Sequence, residues 1–291
     1  MKLGIFGGGF KPFTTGHFSK LADAIRDNDK VYLFYGMQQK EPVRYGKRGK
    51  PRKSQQKFRS IGNTERTYDE SVAQSVFEIY KGALERIPNV EVFLIQSQAK
   101  NDQGELAAVR APVTAIFKTL EGFVDNPENI EKITIYGDAD SMRPYMRSSK
   151  FIDHVRKGLI QFGGAIPGSH EDYIDPEKLA RLMDQGNKEA ADALRSYYPD
   201  LEHSEEDTEE DTQRKNTELS RLQSIRGTEV RDMASSRETS EEAKRYLPPF
   251  LSNSEKDQIV QILIGDSSEE TASKVQSEAY LRAFIRGIIR G

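Results

Sequence analysis

The chain has 291 residues, 36% of them hydrophobic and 31% charged, with a formal net charge of −3. The length allows one large or two modest domains, and the near-neutral balance argues against wholesale nucleic-acid binding. There is no cysteine, which excludes disulfides, zinc–thiolate sites and thiol catalysis and fits a reducing cytosol, and the four histidines form no metal-spacing pair.

No apolar run reaches the roughly 18 residues of a membrane span. The sequence opens directly on a strand, leaving no room for a signal peptide. The expected compartment is therefore the cytoplasm, with no membrane partner.

Lys2 to Phe6 reads as a short apolar strand. Gly7, Gly8 and Gly9 form a turn, Pro12 a rigid exit, and a helix begins near Thr14 or Thr15. Phe18, Leu21, Ala22 and Ile25 carry that helix through residues 16 to 28 at helical spacing. Val31 to Phe34, continuing to Tyr35 and Gly36, is apolar on both faces, as a buried parallel strand requires.

Residues 40 to 67 are polar, and eight cations fall between Arg44 and Arg59. This stretch reads as a solvated loop, with a cationic flap over an anionic substrate as the functional alternative. Its aromatics, Tyr45 and Phe58, are too sparse for an RNA-stacking surface. Residues 69 to 87 predict a helix stopped by Pro88-Asn89. Val90 to Ile95 predicts a strand, and Ala111-Pro112-Val113 opens a helix running through Leu120.

Lys132 to Tyr136 predicts the fourth strand and Leu159 to Phe162 a fifth. Strands alternating with helices predict an α/β fold: a Rossmann-like parallel sheet with helices on both faces. Residues 168 to 223 read as an insertion, helical and then acidic. Lys178 to Tyr198 has helical spacing, and Asp200 to Asp211 holds eight carboxylates among twelve residues, the pattern of a solvated or disordered run.

The first domain is thus expected over 1–250, and 251–291 forms a helical extension. Residues 280 to 289 form an amphipathic helix. It either docks on its own domain or serves a partner protein or a neighbouring copy through residues 279 to 291.

Strand, glycine turn, then helix start is a geometry that binds phosphate, because the backbone can approach an anion and the helix offers N–H groups and a positive dipole end. The turn is not a dinucleotide fingerprint, since Pro12 stands where the third glycine should be. Nor does Gly49-Lys50-Pro51 make a P-loop.

What remains is Gly8-x-Phe10-x-Pro12-x-Thr14-x-Gly16-His17. It resembles the Thr/His-x-Gly-His signature of the nucleotidyltransferase superfamily, the adenylyl- and cytidylyltransferases. Lys11 departs from the acidic or amide residue that many members carry before the proline. Ile225-Arg-Gly-Thr-Glu-Val-Arg231 resembles the second motif, Ile-Ser-x-Thr-x-x-Arg, with Arg226 replacing the serine. Gly137, Asp138 and Asp140 loosely match a further nucleotide-contacting segment. The resemblance covers roughly residues 1 to 165 and 224 to 250, and the divergence and long insertion resemble phage-encoded members.

The resemblance implies transfer of a nucleoside monophosphate from a triphosphate to a phosphorylated small-molecule acceptor, with pyrophosphate released and Mg²⁺ bridging the phosphates. ATP is favoured over CTP because the second motif looks like the adenylyltransferase version. A cytidylyltransferase acting on a sugar or alcohol phosphate is the alternative.

By the same resemblance His17 donates to the α-phosphate and Thr14 to the same phosphates. Gly8, Gly9, Phe10 and Gly16 line the turn, and Ile225 belongs to the nucleotide site. Lys11, Thr228 and Arg231 neutralise the outer phosphates, and no residue is assigned to the metal. A reading of another class is a non-catalytic nucleotide-binding or assembly protein docking through its terminal helix. A class I aminoacyl-tRNA synthetase core shares the Gly-His element but would need a Lys-Met-Ser-Lys-Ser-like loop that is missing here.

Overall fold

The computed structural model describes residues 1–36, 61, 68, 70–95, 111–125, 129–137, 142, 145–146, 148–163, 176–236 and 238–265. Most of the basic stretch, Asp138, Asp140 and the amphipathic segment 280–289 lie outside these residues.

Five parallel strands make one sheet: β1 (Lys2–Gly8), β2 (Lys30–Gly36), β3 (Val90–Ile95), β4 (Lys132–Tyr136) and β5 (Ile160–Phe162), in the order β3-β2-β1-β4-β5. The helices are α1 (Thr15–Asp27), α2 (Glu70–Leu84), α3 (Ala111–Asp125), α4 (Ile152–Arg156), α5 (Pro176–Arg195), α6 (Glu209–Ser224), α7 (Gly227–Ala234), α8 (Ser240–Arg245) and α9 (Asn253–Ile264). This is an α/β Rossmann-like fold. Among the described residues no helix is long and apolar enough to cross a membrane.

The period-two alternation of each strand divides the core. Leu3, Ile5, Phe34, Ile133 and Ile135 pack with Ile116, Leu120, Phe151 and Val155 on the face covered by α3 and α4. Phe6, Val31, Leu33 and Tyr35 pack on the other face, with Phe18, Val76, Leu194, Leu222, Val230, Leu247 and Leu263. Helices α5 to α9 thus share a core with β1 and α1. From the turn after α2, Arg86 reaches both carboxylate oxygens of Glu255 on α9 at 2.8 Å. With Arg86 half exposed, the fork is worth at most about 1 kcal/mol.

The stretch Asp200 to Asp211, expected to be solvated or disordered, is solvated and ordered: all of it but Leu201, Asp207 and Asp211 is exposed. A 3₁₀ turn covers Pro199–Leu201, and Thr208 caps α6 by accepting from the Asp211 N–H at 3.1 Å. Three acidic residues, Glu209, Glu210 and Asp211, lie in the first turn, where the helix dipole favours negative charge. Lys215 reaches back to both oxygens of Asp207 at 2.8 Å. The run is a helix start, and local cations balance part of its charge.

Helix α1 packs along α5 and α6. Near its C-terminal end, Asp23 is fully buried beside the exposed Arg26, and burial pushes its carboxyl up to about 7, against the pull of Arg26. Asn28 ends the helix, giving its amide to Ala24 O at 2.8 Å and to the Tyr136 hydroxyl at 2.9 Å.

Candidate functional site

In a parallel sheet, the crevice outside the carboxyl ends of the strands opens where the strand order reverses. Here the chain runs from β1 outward to β2 and β3, then returns to place β4 on the other side of β1. The switch point therefore falls between the ends of β1 and β4, at Gly7 to Gly9 and Gly137. Gly9 is exposed, Gly8 closes the ladder opposite Tyr35, and Phe10 follows it. Gly137 is buried at the end of β4.

Phe10 turns back into the core. It packs against Phe13 at 4.5 Å, Tyr35 at 4.9 Å and the His17 ring at 5.0 Å between centroids. This wall sets the loop between β1 and α1. The Lys11-Pro12 peptide is cis, and the Tyr80 hydroxyl donates to Phe13 O at 2.6 Å.

Helix α1 then starts with a reciprocal lock. The Thr14 N–H donates to His17 Nδ1 at 3.0 Å, so a neutral His17 ring carries its proton on Nε2. The Thr14 hydroxyl lies 2.9 Å from the same Nδ1 and donates to the carbonyl of Ile225 at 3.1 Å. Thr14 is fully buried.

The second motif lies directly against the first. The Thr15 hydroxyl donates to Leu222 O at 2.7 Å, and the Thr15 N–H to Tyr246 O at 2.9 Å. A Cβ on Gly16 would stand 2.5 Å from Gln223 O and 2.8 Å from Ile225 O. A Cβ on Gly227 would stand 2.3 Å from Lys11 O. Only hydrogen fits at either position, so the start of α7 touches the loop that leads into α1. Two helix N-termini therefore converge on residues 11 to 16.

A comparison with protein-family models and with curated proteins finds no match to this chain. The functional reading therefore rests on the residues themselves.

The structure brings Gly8, Gly9, Phe10, Lys11, Thr14, Gly16, His17, Ile225, Thr228 and Arg231 together, and some of these side chains take unexpected directions. Arg231 is 2% exposed. Its guanidinium donates to the Lys11 carbonyl and, at 3.2 Å, to the Thr228 hydroxyl, and it sits 5.8 Å from the Tyr68 ring. It anchors the loop from beneath. Thr14 likewise faces Ile225 O, and Ile225 contributes a carbonyl rather than a side chain. Thr228 is exposed at the start of α7, and the Arg226 N–H is taken by Glu229 at 2.9 Å.

Sequence reasoning missed the carbonyls of Leu222, Gln223 and Tyr246 and the Tyr68 ring. Backbone acceptors leave no signature in residue type, so no signal could have found the first three.

Proposed function

We propose that this protein is a nucleotidyltransferase. It moves a nucleoside monophosphate, with AMP preferred, from a nucleoside triphosphate to a phosphorylated small-molecule acceptor and releases pyrophosphate. One observation carries the reading. The two sequence motifs, separated by most of the chain, interlock at the switch point through Thr14–Ile225, Arg231–Lys11 and the closely packed Gly16 and Gly227.

An acceptor phosphate oxygen attacks the α-phosphorus, and the bond to the β-phosphate bridging oxygen breaks, with its electron pair leaving on pyrophosphate. The nucleophile is already an anion, so the protein supplies position and charge stabilisation rather than a general base. His17, its tautomer set by the Thr14 N–H, presents an Nε2–H donor to the α-phosphate. Gly9 allows the backbone to approach the phosphates, and Lys11 and the N-terminus of α7 with Thr228 oppose the outer charges. Arg231 and Thr14 act through the backbone they hold. Mg²⁺ would arrive with the triphosphate, held by phosphate oxygens and its own waters, because Thr14, His17, Lys11, Thr228 and Arg231 offer donors rather than carboxylates.

The test is pyrophosphate release from ATP and CTP across a panel of phosphorylated acceptors, beside thermal shift with each nucleotide. His17→Gln keeps an acceptor for the Thr14 N–H, as a capping box does, so stability should change by less than about 0.5 kcal/mol. Turnover should fall more than about tenfold, a loss above about 1.4 kcal/mol of transition-state stabilisation. Nucleotide-dependent stabilisation with no turnover on any acceptor would leave a binding protein. Preference for CTP would select the cytidylyl reading.

A further inference from the structure

A second cluster of charge lies away from this crevice, where α1 meets α5. Asp23, Asp27 and Glu189 each place a carboxylate oxygen within 4.8 Å of the others. Asp23 is fully buried, and its Oδ2 has no hydrogen-bond partner among the described residues. Burial without a donor makes the ionised form of this carboxyl costly, so that form depends on a positive neighbour.

Part of that need is met by Arg26. Its Nη2 lies 2.5 Å from Asp23 Oδ1 and 3.2 Å from Asp27 Oδ2, its Nε 2.8 Å from Asp27 Oδ1, and its Nη1 3.2 Å from the Glu189 carbonyl. The Gln185 amide donates to Glu189 Oε1 at 3.2 Å. Lys20 lies near but is engaged with Asn187 Oδ1 at 2.6 Å. The Arg26 side chain is 43% exposed, so solvent can receive it if an ion takes its place, whereas Asp23 is buried.

We propose that Asp23, Asp27 and Glu189 form a divalent-cation site of calcium's size, in which Arg26 occupies the position when no ion is bound. Calcium takes oxygen ligands at about 2.3–2.6 Å, which sets opposite ligands about 5 Å apart. Carboxylates within 4.8 Å of one another match that span. The Glu189 carbonyl, released by Arg26, is a fourth oxygen, and water completes the shell. Asp23 lies six residues beyond His17, about 9 Å along the helix axis, so this ion is separate from any carried by a nucleotide.

The experiment is calorimetric titration of the full chain with CaCl₂, MnCl₂ and MgCl₂ in the absence of nucleotide, paired with thermal denaturation. Calcium is expected to bind one to one and to raise the melting temperature saturably. Arg26→Gln should tighten binding at least tenfold by removing the competitor. Asp23→Asn, which keeps the shape, should weaken it at least tenfold, and so should Asp27→Asn at an exposed position. Absence of calcium binding in both the wild-type chain and Arg26→Gln overturns the proposal. So does binding that survives Asp23→Asn and Asp27→Asn unchanged.

Discussion

Replacing Gly16 with alanine tests the joint between the two motifs most directly. The added methyl would lie 2.5 Å from Gln223 O, where ordinary contacts begin at 3.4 Å, and 2.8 Å from Ile225 O. Both obstacles are backbone, so α1 and the α6–α7 connection must separate by most of an ångström. Overpacking of this kind costs about 1–3 kcal/mol. Against it stands the helical preference of alanine over glycine, up to about 1 kcal/mol.

Gly122 supplies the reference. It is an exposed helical glycine in α3 whose Cβ would meet nothing within 4 Å, so Gly122→Ala should stabilise by about 0.5–1 kcal/mol. Urea denaturation of both variants, with unchanged slopes, isolates the steric term as the difference, expected to be about 1–3 kcal/mol. If Gly16→Ala gains as much as Gly122→Ala, α1 does not approach the second motif this closely, and the assembled pocket loses its basis.

Two buried tyrosines make a contrasting pair. Tyr80→Phe removes the donor to Phe13 O and should cost about 1–2 kcal/mol by equilibrium unfolding. Tyr35→Phe removes a buried hydroxyl with no partner among the described residues and should be neutral or stabilising; a loss above about 1 kcal/mol would show a further partner.

The hydrogen bond from Lys215, reinforced by Ser204, holds the Asp207 carboxyl down at about 2 from its usual 3.8. A depressed folded pKa gives stability that is complete above the unfolded value and is lost as pH falls through the folded one. Acid titration should therefore show a contribution lost between about pH 4 and pH 2 that Asp207→Asn abolishes. An unchanged acid limb in that variant would contradict the assignment.

The strands were legible because apolar runs bounded by turn residues leave little choice. Val90 to Ile95 and Lys132 to Tyr136 follow the observed bounds. Strand β1 runs two residues past Phe6 because Gly7 and Gly8 still pair with Phe34 and Tyr35, and glycine hides that pairing from any propensity argument. Helix α4 was invisible, since five residues give too short a window for a period of 3.6. The run is solvated as expected, but its order went unread because charge density was weighed above Thr208, whose capping geometry depends on Asp211 three residues on.

At the site, the resemblance to two motifs of one superfamily implied that His17 and Arg231 belong together. It did not indicate that Arg231 would point inward to Lys11. That direction depends on how closely Gly227 lets α7 approach, a tertiary fact with no local pattern.

The contacts that close the crevice join residues 207 to 220 positions apart. At about 5–20 residues per second on the ribosome, Thr14 waits roughly 10–40 seconds for the carbonyl it will hold. The glycine turn leaves the ribosome well before its partner, which arrives only after the fifth strand and two long helices have emerged. A chain cut short before Ile225 would carry the His17 imidazole without the carbonyl that clasps Thr14 beside it.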